Sequence, residues 1–101
     1  MKRTMVRYRV KPEAVAENEA RVRAVMAELD AKGTPGVHYA VFKESDGVSF
    51  VHMAIEEDDS PGLPSIGAFD DFRRGLPDRV EVPPHAEALE QVAAHGMSWS
   101  E

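Results

Sequence analysis

The 101-residue chain contains no cysteine, which excludes a disulfide framework, a thiolate nucleophile and a zinc–thiolate site. Long apolar runs are missing too. The opening Met-Lys-Arg-Thr-Met-Val-Arg-Tyr-Arg-Val has basic residues with no apolar stretch behind them, so neither a signal peptide nor a membrane span is expected, and the default location is cytoplasmic. Positive charge is in short supply: 12 Lys and Arg stand against 18 Asp and Glu, a formal net charge of −6. Phosphate neutralisation needs clustered cations, so no nucleic-acid partner is expected. Asparagine and tryptophan each occur once, as Asn18 and Trp99.

What is present is the composition of one ordinary globular domain, 43% hydrophobic and 30% charged. Its clearest local signal is a β-hairpin over residues 37–55 with Asp46-Gly47 at the turn. A two-residue loop would pair Phe42 with Val51 and Ala40 with Met53. A three-residue loop, Ser45-Asp46-Gly47, pairs Phe42 with Phe50, Ala40 with His52 and Tyr39 with Met53. Residues directly opposite share a sheet face, and a slip of one residue exchanges the faces. Only the three-residue register makes one face uniformly apolar, with Val37, Tyr39 and Val41 against Val51, Met53 and Ile55. That register is the expectation.

A first strand is predicted over Met5 to Val10, with Val6, Tyr8 and Val10 on the apolar face. Pro12 suits the first turn of a helix that runs to about Lys32, with Val15, Val22, Val25, Met26 and Leu29 on one side. Gly33 as a left-handed cap, then Pro35, ends it. Asn18 falls at the edge of the apolar stripe and reads as a boundary residue with a satisfied amide. The four carboxylates of residues 56–59 lack the alternating spacing of a calcium loop and read as a solvated turn. Ser65 can cap a second helix carrying Ile66, Phe69, Phe72 and Leu76, ended by Gly75 and Pro77. Pro83-Pro84 forces an extended bend. Residues 86–96 have helix-forming composition, yet they also alternate as a strand would.

The order of elements is the ferredoxin-like β-α-β-β-α-β pattern. In detail the chain resembles the dimeric α+β barrel superfamily, among it the small proteins grouped with antibiotic-biosynthesis monooxygenases. Val-Arg-Tyr-Arg-Val-Lys-Pro at 6–12, Glu-Asn-Glu at 17–19, Asp-Gly-Val-Ser-Phe-Val-His at 46–52, Ala-Phe-Asp-Asp-Phe at 68–72 and Glu-Val-Pro-Pro at 81–84 carry the resemblance. It implies an α+β fold over residues 1–96, with 97–101 as a tail. The sheet would be four-stranded and antiparallel, with two helices on one face, and residues 86–96 would be its closing strand. The other face would meet a second copy, making a homodimer with a small-molecule pocket in each subunit.

That second face would collect Met5, Arg7, Arg9, His38, Phe42, Phe50, His52, Leu89, Gln91 and His95, a mixture of rings, cations and imidazoles suited to a partly polar cavity. Expected ligand-binding residues are therefore Arg7, Arg9, His38, Phe42, Phe50, His52, Gln91 and His95, with His52 the best catalytic candidate. His38 would lie diagonal to His52 at ~7–8 Å between Cα atoms. The two imidazoles could hold an anionic or phenolic ligand or accept a proton near neutral pH. The plainer reading is that they bond to backbone or to carboxylates across the dimer. No acid joins the histidines, so no metal site is expected. By resemblance, family enzymes oxygenate aromatic polyketides without metal or flavin, the deprotonated substrate reacting directly with oxygen, so no cofactor is expected. Other relatives degrade haem with an asparagine, a tryptophan and a histidine; Asn18 on the first helix and Trp99 in the tail depart from that pattern. Two functions stay open: a cofactor-independent oxygenase for a small aromatic or enolic molecule, and a non-catalytic metabolite-binding or stress-associated barrel.

Overall fold

A computed structural model describes residues 1–97. Trp99 lies outside the described residues. Strand β1 is Lys2–Val10, helix α1 Val15–Lys32 after a 3-10 turn at Pro12–Ala14, β2 Val37–Lys43, β3 Ser49–Glu56, α2 Gly67–Arg79 and β4 Val80–Ala88. The strands form one antiparallel sheet in the order β2-β3-β1-β4. This is the expected ferredoxin-like α+β arrangement. Among the described residues no helix is long and apolar enough to cross a membrane.

The helices follow their apolar stripes. Val25 of α1 and Ile66, Phe72 and Leu76 around α2 are buried against Tyr8, Val10 and Phe50 of the sheet. Gly33 has φ 56° and closes α1 as expected. Ser65 does not cap α2; its hydroxyl donates to Gly62 O. The Glu28 carboxylate of α1 takes that place, accepting from Gly67 N and Ala68 N at 3.2 and 2.9 Å. One charged side chain thus joins the two helices where α2's first amides lack partners. Nor does α2 stop at Pro77. It continues to Arg79, whose guanidinium donates back to Phe72 O and so ties down the last turn.

The hairpin takes the two-residue-loop register, not the expected three-residue one. Phe42 pairs with Val51, Ala40 with Met53 and Val41 with His52. The Asp46 carboxylate decides the loop: it accepts from Val48 N, Ser49 N and the Ser49 hydroxyl, while Gly47, at φ 77°, donates to Glu44 O. Every β3 side chain therefore lies on the face opposite to expectation. Phe50, His52 and Ala54 point to the helices, and Val51, Met53 and Ile55 point away.

The closing strand is also displaced. It spans Val80–Ala88 and includes Pro83-Pro84, where its register against β1 shifts. Proline is tolerated because β4 is an edge strand whose outer amides need no partner. Of residues 86–96, expected as the strand, only 86–88 belong to β4, and 89–96 contain no regular element. After Leu89 N bonds to Arg3 O, this segment passes the open sheet face beside Arg3, Met53 and Ile55.

Candidate functional site

The expected site residues are divided among three places. Arg7 and Arg9 are on the open face, Arg7 bonded to Glu44 at 2.5 and 3.0 Å and Arg9 3.7 Å from Glu81. His38 and Phe42 share that face, His38 3.1 Å from Glu57 and Phe42 55% exposed. Gln91 and His95 line a hollow between the C-terminal segment and Arg3. Phe50 and His52 are buried under the helices. The expected grouping of His52 with Arg7 on one surface is therefore corrected.

His52 has instead joined a different set of polar groups. Its Nε2 is 2.7 Å from the Tyr8 hydroxyl and its Nδ1 2.5 Å from the Tyr39 hydroxyl. Asn18 Nδ2 donates to the Tyr8 oxygen at 2.8 Å, and Arg79 Nε donates to Asn18 Oδ1 at 3.1 Å. Asn18, His52 and Arg79 are each at most 5% exposed. Sequence reasoning did not single out Tyr8, Tyr39 or Arg79 for a site and read Asn18 as a boundary residue. The signal available was two tyrosines on an apolar strand face, since a buried hydroxyl needs a partner.

The hydrogens in this chain have one consistent direction. A guanidinium only donates, so Asn18 must turn its oxygen to Arg79 and its amide hydrogens to Tyr8. The Tyr8 oxygen thus accepts from Asn18, and its own O–H goes to His52 Nε2, its one other partner among the described residues. Burial pushes the Tyr8 hydroxyl up to about 12 and the His52 imidazole down to about 4. Near neutral pH the ring is then neutral, with a bare Nε2 and an N–H at Nδ1 that donates to Tyr39. Burial raises Tyr39 as well, so it keeps its proton. The Tyr39 O–H is left for whatever stands beside it.

Beside it is a cavity of about 360 Å³ between the sheet and α2. Val6, Tyr8, Tyr39, His52 and Ala54 form its floor, Phe69, Phe72 and Leu76 its roof, and Leu63, Pro64, Pro84 and Ala86 its sides. Lys2, Thr4, Glu56 and Arg73 also border it. The walls are mostly apolar, with polar groups at few points, as in small-ligand sites. The far end of the chain is held firmly: the Arg79 guanidinium lies 5.1 Å over the Phe72 ring and 3.9 Å from Glu17. Gly75 leaves it room, since a Cβ there would approach Arg79 Nη1 to 2.7 Å.

No family model matches the sequence, and no curated protein matches it significantly. Solved structures do share the architecture. One described as an antibiotic biosynthesis monooxygenase superposes with a TM-score of 0.69 at 15% identity, covering 92% of this chain and 100% of the other. The fold is that of the antibiotic-biosynthesis-monooxygenase-like proteins. Rv0793 from Mycobacterium tuberculosis gives a TM-score of 0.73 at 14% identity, covering 92% and 96%. A mutant of SnoaB, a cofactor-independent oxygenase from Streptomyces nogalater, gives 0.69 at 19% identity, covering 95% and 98%. At such identities the antibiotic-biosynthesis-monooxygenase-like likeness is one of fold and does not extend to chemistry.

Proposed function

We propose that the protein is a cofactor-independent monooxygenase that takes a small aromatic or enolic molecule into the cavity between sheet and α2. The observation that carries this reading is the one-way hydrogen-bond chain from Arg79 to Tyr39, which ends beside an apolar cavity in an O–H with no acceptor among the described residues. An enolate or phenolate oxygen placed there receives a hydrogen bond from a donor already oriented. Such fixed donors stabilise developing negative charge more than water does. Tyr39 would be the residue in contact with substrate, and Asn18, Tyr8 and His52 would position it. In the reaction an activated CH2 and O2 give C=O and water, the carbanion donating electrons directly to oxygen. The cofactor-independent oxygenase of the same fold supports the reaction class.

The homodimer belongs to the same proposal. The open face presents Phe42, Met53 and Val82, each more than a third exposed, next to Arg7 and Arg9. A second copy of the chain covering this face would bury them.

Oxygen uptake with anthrone tests the reaction. Wild-type protein is expected to accelerate uptake and yield anthraquinone, and Tyr39→Phe is expected to lower kcat by about 100-fold with little change in KM, as for loss of one oxyanion donor. One observation favours the non-catalytic reading: His52 is neutral and bonded on both nitrogens, and the bordering carboxylate of Glu56 already accepts from Leu63 N. Saturable anthrone binding with no oxygen uptake would decide for that reading.

A further inference from the structure

Among the described residues, seven of the twelve Lys and Arg side chains lie within 4 Å of a carboxylate. Lys2 and Arg73 have no ion-pair partner among the described residues, and both border the cavity. They come from different elements, Lys2 from the start of β1 and Arg73 from the middle of α2. Arg73 lies 5.8 Å over the Phe69 ring, which keeps its guanidinium against the cavity roof. The nearby carboxylate of Glu56, across the strands from Lys2, is turned to another use: its Oε2 accepts from Leu63 N at 3.0 Å. In a chain of net charge −6, Lys2 and Arg73 outnumber the one carboxylate at the cavity, Glu56, so the local charge there is opposite in sign to that of the whole molecule.

We propose that the cavity selects aromatic acids, a ligand whose carboxylate meets Lys2 and Arg73 at the rim while its hydroxyl meets Tyr39 inside. This rests on the reading of the cavity as the substrate site and adds the class of substrate. Tyr39 supplies one donor to one oxygen. Lys2 and Arg73 supply charge without a counter-ion of their own, so a bound carboxylate displaces no internal partner. The cavity volume of about 360 Å³ equals about a dozen waters at their liquid share, room for two or three fused rings.

The test compares 6-hydroxy-2-naphthoate with 6-hydroxy-2-naphthamide, alike in shape and differing in charge, by calorimetric titration at low and high salt. The acid is expected to bind about 10-fold more tightly at low salt, with the advantage shrinking as salt screens it. In the double variant Lys2→Gln/Arg73→Gln the two ligands should bind alike, at the affinity of the amide. Equal binding of both ligands to wild type would overturn the selection for acids and leave the oxygenase reading standing. A preference that survives in the double variant would overturn the assignment to these two cations. If neither ligand binds while anthrone does, the acid site is refuted alone; if nothing aromatic binds, the substrate-site reading falls and this inference with it.

Discussion

On the helix-covered side of the sheet, His52 is 5% exposed and both of its nitrogens meet tyrosine hydroxyls. On the open side, the Arg7 side chain is 58% exposed and meets Glu44 in solvent. The two residues lie on neighbouring strands, for His52 pairs with Val6 and Arg7 with Val51. Both are polar groups with satisfied partners, yet the consequences differ. Water can replace Glu44 at Arg7 at small cost. Nothing replaces Tyr8 or Tyr39 at His52, so each buried member fixes the orientation of the next. A site that must hold an O–H in place is better built on the first side.

The largest effect that separates the faces should come from Asn18. Asn18→Leu removes the acceptor of Arg79 Nε and the donor to Tyr8 together. Stranding a buried charged donor and a hydroxyl should destabilise the fold by about 3–5 kcal/mol. Urea unfolding would show this as a large fall in midpoint, against a small one for Arg7→Ala. Similar shifts for the two variants would mean that the buried chain has no special weight.

How far the sequence disclosed this difference depends on the element. The helix stripes, Gly33 and the order of strands are local or periodic properties, and Val25, Ile66, Phe72 and Leu76 are buried as their spacing implies. The β3 faces were not legible. Uniform apolarity favoured Val51, Met53 and Ile55 inside, and it lost to partners from elsewhere: Asp46 fixes the loop, and Tyr8 and Tyr39 satisfy His52. A histidine's preference for the core depends on groups distant in sequence, which a strand pattern does not contain. Asn18 and Arg79 stand 61 positions apart, so their bond was hidden for the same reason. The residues 89–96 were misplaced because Pro83-Pro84 argued against a strand, whereas at a sheet edge proline costs little.

A smaller effect should appear in the pH dependence of stability. The His52 value falls from 6.5 to about 4 on burial. Between these limits the unfolded chain binds a proton that the folded chain does not, so stability rises with pH across that window and this contribution is flat above it. The whole window is worth about 3 kcal/mol, at ~1.4 kcal/mol for each pH unit. Depressed carboxylates such as Asp46, lowered to about 2 by its bonds to Ser49 and Val48, act below their own ordinary range and leave the upper part of the window to His52. Unfolding midpoints from pH 4.5 to 7 should therefore slope upward in wild type and flatten in His52→Gln. An equal slope in both would place the neutral imidazole in doubt.

The smallest effect on folding, and the sharpest contrast, is expected at Phe42 on the open face. With 55% of its surface exposed it adds little to the core, and Phe42→Ala should change the stability of the single chain by no more than ~0.5 kcal/mol. If a second copy covers this face, folding and association are coupled by mass action, and the cost of the same substitution must grow with protein concentration. Thermal unfolding at nanomolar and at high micromolar concentration, with light scattering alongside, separates the two cases. A wild-type midpoint that rises with concentration, and rises less in Phe42→Ala, makes the open face a dimer surface. A midpoint independent of concentration in both proteins, with a monomer mass throughout, leaves Phe42 in water and removes the dimer from the proposal, while the cavity under α2, which is built from one chain alone, would be untouched.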